Sequence, residues 1–242
     1  MLISKKTHVI FDFDQTLVPT ESTVEVLKLA VEGLPDGKKY LERLAMIAPK
    51  ALAGVATFRE LSELMVAITR IRKSHVQAYI NMTAQTLHPD LQTTLNELHR
   101  ERVGVHIISG GYMEWIVPLA SAWGIDPQHV IANRFYWAGS RAIATRPSPL
   151  LSSKKGKAQI VRNWRTQGKL DGAAIIVGDG AADHRVFAQG AVEGFVCADY
   201  YTDKTLNALG DFSRVSHQDQ LLKHIQALLN TLSSHQQAEE TA

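Results

Sequence analysis

Acidic residues with a defined spacing open the chemistry of this chain. Asp12 and Asp14 follow the short apolar run His8 to Phe13, which is rich in β-branched and aromatic side chains and reads as a buried strand. Two residues apart, the two carboxylates point the same way if the chain stays extended. Two anions aimed together are costly unless a cation lies between them, and hard oxygen ligands with few protein donors suit magnesium. Two more acids arrive in Gly178-Asp179-Gly180-Ala181-Ala182-Asp183, after a predicted strand Ala173 to Val177. Ser109-Gly110-Gly111 follows another, Val103 to Ile108. It offers a hydroxyl and two unhindered amides before a helix expected near Tyr112, a ready place for an anion. Lys154-Lys155-Gly156-Lys157 opens a helix, where bare basic charge opposes the dipole and calls for an anionic neighbour.

A Ser-Gly-Gly turn, a lysine cluster or an Asp-x-Asp pair alone is an ordinary turn, solvated end or cap. Here all of them fall after strands or at helix starts on one edge, and together they match phosphoryl transfer. On this reading Asp12 is a nucleophile that forms an aspartyl-phosphate. Asp14 protonates the leaving oxygen and then deprotonates the attacking water, which requires a pKa raised by its carboxylate neighbours.

The elements that must position these groups follow from periodicity. From Ser22 to Ala84 apolar residues recur at helical spacing, with breaks at Gly33 to Gly37, at Pro49 and near Gly54, and no strand interrupts. Such a block is too long for one crossover helix and reads as a small separate bundle. From Pro89 helices and strands alternate, with a hairpin around Ala138-Gly139 and Phe195 to Cys197 as the last apolar strand. The fold class expected is α/β, a Rossmann-like doubly wound parallel sheet with an inserted all-helical cap. Residues 1–18 and 86–242 would form the core and 19–85 the cap, with the strands' carboxyl ends as the ligand edge. Gln218 to Ser233 closes the chain as a helix on the sheet, and 234–242 is expected to be a disordered tail.

Composition limits the partners. The 26 basic and 24 acidic residues leave +2, so no global field argues for nucleic acid or a membrane surface. The one cysteine, Cys197, excludes an internal disulfide, and no apolar run is long enough to span a bilayer. A cytoplasmic setting is expected, with oligomeric state open. His184 is read as a helix-face residue rather than a ligand, and the four tryptophans as packing. The basic residues from Arg141 to Lys169 suit an acidic partner, a lipid headgroup or an ordinary solvated surface.

DFDQT, IISGG, the Lys-Gly step of KKGK and VGDGAAD, in that order, resemble the four motifs of the haloacid dehalogenase superfamily of magnesium-dependent phosphatases. More narrowly the chain resembles the phosphoserine phosphatase branch, whose helical cap is inserted after the first motif. The likeness extends through Gly54 to Phe58, VIANRF at Val130 to Phe135, and Gly194 to Cys197. It implies Mg2+ as cofactor and a small phosphorylated substrate. Asp12 would be nucleophile and metal ligand, Asp14 the acid/base whose main-chain carbonyl also binds the metal, and Thr16 would steady the loop. Ser109 and Gly110 would hold phosphate, Lys155 would pin nucleophile and phosphate with Lys157 the weaker candidate, and Asp179 and Asp183 would complete the metal site. Glu21 matches a glutamate that meets the substrate's amino group, and Phe58 a cap aromatic over the site. Two positions depart from the pattern. Met65 stands where the family's cap carries a carboxylate-clamping arginine, and Ala182 where it has a polar residue; Arg59, Arg70 or Arg72 are possible substitutes. Another small phosphometabolite, a phosphorylated protein side chain, or a non-catalytic binder of this fold are the alternatives.

Overall fold

A computed structural model describes residues 6–52, 57–152, 155–201 and 212–240. The first strand, β1 (His8–Phe11), leads to four helices: α1 (Ser22–Val31), α2 (Gly37–Leu52), α3 (Phe58–Ile68) and α4 (Lys73–Thr83). Then follow α5 (Pro89–Arg100), β2 (Gly104–Tyr112), α6 (Met113–Ala122), β3 (Val130–Asn133) and the hairpin β4 (Phe135–Ala138) with β5 (Arg141–Thr145). The chain continues through α7 (Pro149–Ser152), α8 (Gly156–Thr166), β6 (Ala174–Gly178), α9 (Ala181–Ala188), β7 (Gly194–Ala198), β8 (Ser213–Val215) and α10 (Leu221–Glu240).

Six strands form one sheet in the order β3-β2-β1-β6-β7-β8, and every pairing is parallel. This is the α/β, Rossmann-like architecture read from the alternating pattern. Alternation along the strands divides the core into two faces. Val9, Phe11, Ile107, Ile175 and Val177 pack with α5, α6 and α10 on one side. Ile10, Ile108, Ile176 and Cys197 pack with α8 and α9 on the other. Central β1 is flanked by β2 and β6, so the chemistry-bearing turns after three adjacent strands share one edge.

The four helices α1–α4 lie between β1 and α5. Their inward residues Val26, Leu27, Leu44, Ala67, Ile68, Val76 and Tyr79 belong to the same apolar cluster as Val9 and Phe11. Thr57 caps α3 by a reciprocal box, accepting the Glu60 N–H while its own N–H donates to the Glu60 carboxylate at 2.8 Å. The β4–β5 hairpin is stitched to this block: the Lys73 N–H donates to the Ser140 carbonyl and the Ala142 N–H to the Ile71 carbonyl, at 2.9 and 3.0 Å.

Several boundaries differ from the sequence reading. Helix α2 runs through Pro49 to Leu52; a proline removes one donor but does not oblige a helix to end. Gly54 and Lys154 lie outside the described residues. Strand β2 continues through Ser109-Gly110-Gly111 to Tyr112 because Tyr112 still pairs with Asn133 across an irregularity after Ile108. A further strand, β8, follows the last apolar one; its Ser213-Arg214-Val215 is short and carries only one buried apolar residue, too little for a periodic signal. The closing helix extends to Glu240, beyond the apolar stripe that set the expected end at Ser233 and placed residues 234–242 in a disordered tail.

Candidate active site

The site begins at the end of β1, where the Asp12 N–H donates to the Val177 carbonyl of β6 at 2.9 Å and so fixes the first carboxylate at the sheet edge. Asp12 Oδ1 accepts the Phe13 N–H at 2.7 Å. The chain then turns tightly: the Leu17 N–H reaches back to the Phe13 carbonyl at 2.9 Å, and Gln15 takes a left-handed φ of 54°. A non-glycine residue there is strained, and such strain concentrates at functional loops. Thr16 is fully buried, and its carbonyl accepts the Tyr200 hydroxyl at 2.8 Å, tying the loop to the segment after β7.

Asp12, Asp179 and Asp183 each place a carboxylate oxygen within 4.8 Å of the others. Asp179 ends the run after β6, and Asp183 lies in the first turn of α9, where the dipole favours an anion. Gly178 is required by this packing, since a Cβ there would fall 2.2 Å from Asp183 Cγ. Burial is the main force that pushes the Asp183 carboxyl above its ordinary range, against the pull of Lys157.

The lysine in contact with this group is Lys157, where the sequence reading favoured Lys155. Lys157 Nζ donates to Asp12 Oδ2 at 2.8 Å and to Asp183 Oδ1 at 2.7 Å, and the residue is 9% exposed. Burial works to discharge it, but the two carboxylates outweigh burial and hold its pKa above the ordinary value. Lys155 is exposed at the N-terminal boundary of α8. The reason is the helix start: Gly156 is pressed against α7, where a Cβ would meet the Pro149 carbonyl oxygen at 2.1 Å. That contact fixes the first turn of α8 and leaves the residue after the glycine, rather than the one before it, facing the carboxylates.

Asp14 stands apart from the acidic trio. Its Oδ1 accepts the Ser22 N–H at 2.9 Å, and the Ser22 hydroxyl takes the Trp115 indole N–H at 2.9 Å. The carboxyl is pushed up to about 8, chiefly by burial, with the charges of Asp12 and Glu21 adding to it and the Ser22 bonds opposing it. The rise was expected from neighbouring charge; its principal cause is desolvation. So three of the four predicted acids converge, and the fourth faces the start of α1.

Ser109 is buried at the end of β2, where its Oγ accepts the Gly111 N–H at 3.1 Å and keeps its own proton to donate. A Cβ on Gly111 would lie 3.4 Å from Asp14 Oδ2, so this turn abuts the first-motif loop. The Asn133 side-chain amide donates to the Gly110 carbonyl at 2.7 Å and holds the turn from β3. Ser22, Trp115, Asn133 and Tyr200 were not singled out as site residues in sequence. Asn133 lies within the quoted VIANRF, whereas a tyrosine 184 positions from its partner carries no local signal. Glu21 precedes α1 and sits close enough for its charge to act on Asp14. Phe58 begins α3 and is 87% exposed.

A family model for haloacid dehalogenase-like hydrolases matches residues 9–188. The chain belongs to that family. Phosphoserine phosphatase of Arabidopsis thaliana, a chloroplastic protein, is 26% identical over 190 residues, 78% of this chain and 61% of its own length. The chain thus spans about three fifths of that relative. Among solved structures, a phosphoserine phosphohydrolase-like protein from Francisella tularensis superposes with a TM-score of 0.74 at 21% identity, over 90% of this chain and 98% of its own. A phospho-aspartyl intermediate analogue of phosphoserine phosphatase superposes with a TM-score of 0.65 at 20% identity, over 95% and 100%. These structures share the fold of this family member. No described helix is long and apolar enough to cross a membrane.

Proposed function

We propose that the protein is a magnesium-dependent phosphomonoester hydrolase acting through an aspartyl-phosphate on Asp12. The observation that carries this is Asp12 held by Lys157 and grouped with Asp179 and Asp183 at the sheet edge. Carboxylates this close, two of them buried, suit a hard divalent cation, because oxygen donors match it and its charge offsets their repulsion. Asp12, Asp179 and Asp183 would hold Mg2+, with the Asp14 main-chain carbonyl as the further donor that the family resemblance implies. Bound there, the ion supplies positive charge that neutralises the oxygens of a transferring phosphoryl group.

The chain's own residues supply the rest. Lys157 holds Asp12 through its Oδ2, the attacking oxygen. The Ser109 hydroxyl and the Gly110 segment donate to the phosphate. Asp14, with its carboxyl at about 8, is neutral at pH 7 and gives its proton to the leaving oxygen; as carboxylate it then takes one from the water that opens the acyl phosphate. Thr16 and Gln15 set the loop that carries both aspartates.

Relatives named phosphoserine phosphatase support a small phosphorylated metabolite as substrate. The arginine of the branch's cap is replaced by Met65, and two of its three candidate substitutes are engaged elsewhere. Arg59 lies 3.4 Å from Glu63 and Arg70 sits 4.8 Å over the Tyr40 ring. Phosphate release from p-nitrophenyl phosphate with Mg2+, lost in Asp12→Asn and on chelation, tests the reading. Absence of turnover in the magnesium-loaded wild type overturns it.

A further inference from the structure

Between Pro127 and Leu170 the chain carries nine Lys and Arg and no acidic residue. In a protein of net charge +2 that is a local excess, and the fold brings its leading members to the catalytic edge. Asn133 is bonded to the Gly110 carbonyl at 2.7 Å, so the next residue, Arg134, leaves β3 directly beside the Ser109-Gly110-Gly111 turn. Its Nε lies 3.1 Å from the sulfur of Met113, two residues past that turn. A thioether is a poor acceptor for a guanidinium, and among the described residues no carboxylate forms an ion pair with Arg134. Glu114, the acid beside Met113, instead takes the Phe135 N–H at 2.9 Å and the Trp137 indole at 3.3 Å. Arg146 returns to the same place at the hairpin's open end: its N–H donates to the Arg134 carbonyl at 2.8 Å, and its guanidinium lies 5.0 Å over the Tyr136 ring. Both arginines are exposed.

We infer that Arg134, seconded by Arg146, binds a second anionic group on the leaving alcohol of a small phosphomonoester, and so sets the specificity of the site. The inference rests on the phosphatase reading and places recognition on the core hairpin instead of the helical block, where Met65 offers no charge. A guanidinium fork beside the Ser109-Gly110-Gly111 segment suits a carboxylate or a second phosphate, each of which offers two oxygens to parallel N–H donors.

Binding can be tested apart from turnover. Titration calorimetry of the Asp12→Asn protein with Mg2+ would compare the phosphate esters of glycolate and 3-hydroxypropionate with ethyl and propyl phosphate. A bisphosphate, ethylene glycol bisphosphate, would separate phosphate from carboxylate preference. At least one acidic ester is expected to bind about tenfold or more tightly than its neutral counterpart, as a charge-assisted pair implies. Adding Arg134→Met should shrink that ratio to about twofold, and Arg134→Lys should restore part of it; thermal melting checks that each variant is folded. Equal affinities in the parent, no binding of any ester, or a ratio that survives Arg134→Met overturns the inference. Should the wild type hydrolyse no phosphomonoester while the ratio behaves as expected, the proposed activity fails and the anion site stands.

Discussion

Replacing Lys157 with methionine removes the one ammonium, among the described residues, that touches two of the clustered carboxylates. At contacts of 2.8 and 2.7 Å, an effective dielectric of about 20 gives roughly 6 kcal/mol for each pair before desolvation. Desolvating the buried ions takes back several kcal/mol apiece, so the measured loss should be near the 3–5 kcal/mol typical when one partner of a buried pair is deleted. For a chain of 242 residues that is a fall in Tm of roughly 6–20 °C in the presence of a chelator. Magnesium should recover part of the loss, since it supplies the missing positive charge to the same oxygens. Phosphatase activity should fall by roughly 10²–10³, the scale for deleting one preorganised donor. Lys155→Met is the paired control: exposed and at a helix boundary, it should change stability by no more than about 0.5 kcal/mol. Differential scanning calorimetry with and without Mg2+, beside steady-state kinetics, decides the matter. If Lys155→Met does the greater damage to both stability and rate, the assignment of Lys157 is wrong.

Three more outcomes are expected. With the Asp14 carboxyl at about 8, the acid form is present at neutral pH and is lost as pH rises through 8, so kcat should decline on the alkaline side. Asp14→Asn should lower kcat by roughly 10²–10⁴ and abolish that limb, which a pH–rate profile reads directly. On the opposite side of the sheet, His106 is 3% exposed, bonds His8 across 3.1 Å, and is pushed down to about 3 by burial and by His129, His8 and nearby lysines. Its folded pKa is depressed, so the unfolded chain takes up the proton first: stability is full above about 6.5 and falls as pH drops, by about 2 kcal/mol at pH 5. Urea titrations at pH 7 and pH 5 should show that slope and its loss in His106→Phe. Finally, Gly178→Ala puts a methyl 2.2 Å from Asp183 Cγ, so it should weaken Mg2+ binding more than it lowers Tm; equal Mg2+ affinity by calorimetry would contradict the packing argument.

The sequence by itself determined the α/β architecture, because buried parallel strands read as continuous apolar runs such as His8 to Phe11 and Ala174 to Val177, and intervening helices carry their own period. It also brought Asp12, Asp179 and Asp183 together, since each lies just past a strand end that the topology brings to one edge, but it counted Asp14 with them. Short elements without an apolar period, such as Ser213–Val215, left no local trace. What only the tertiary structure decided was direction. The press of Gly156 on the Pro149 carbonyl turns Lys157 inward, the Ser22 amide draws the Asp14 carboxylate away from the trio, and the Asn133 amide seats Arg134 beside Ser109-Gly110-Gly111. These contacts join residues from seven positions apart (Gly156 and Pro149) to 23 apart (Asn133 and Gly110), beyond the reach of a local periodic signal. Spacing in sequence fixes where a side chain leaves the backbone, whereas its neighbours in three dimensions fix where its charge ends.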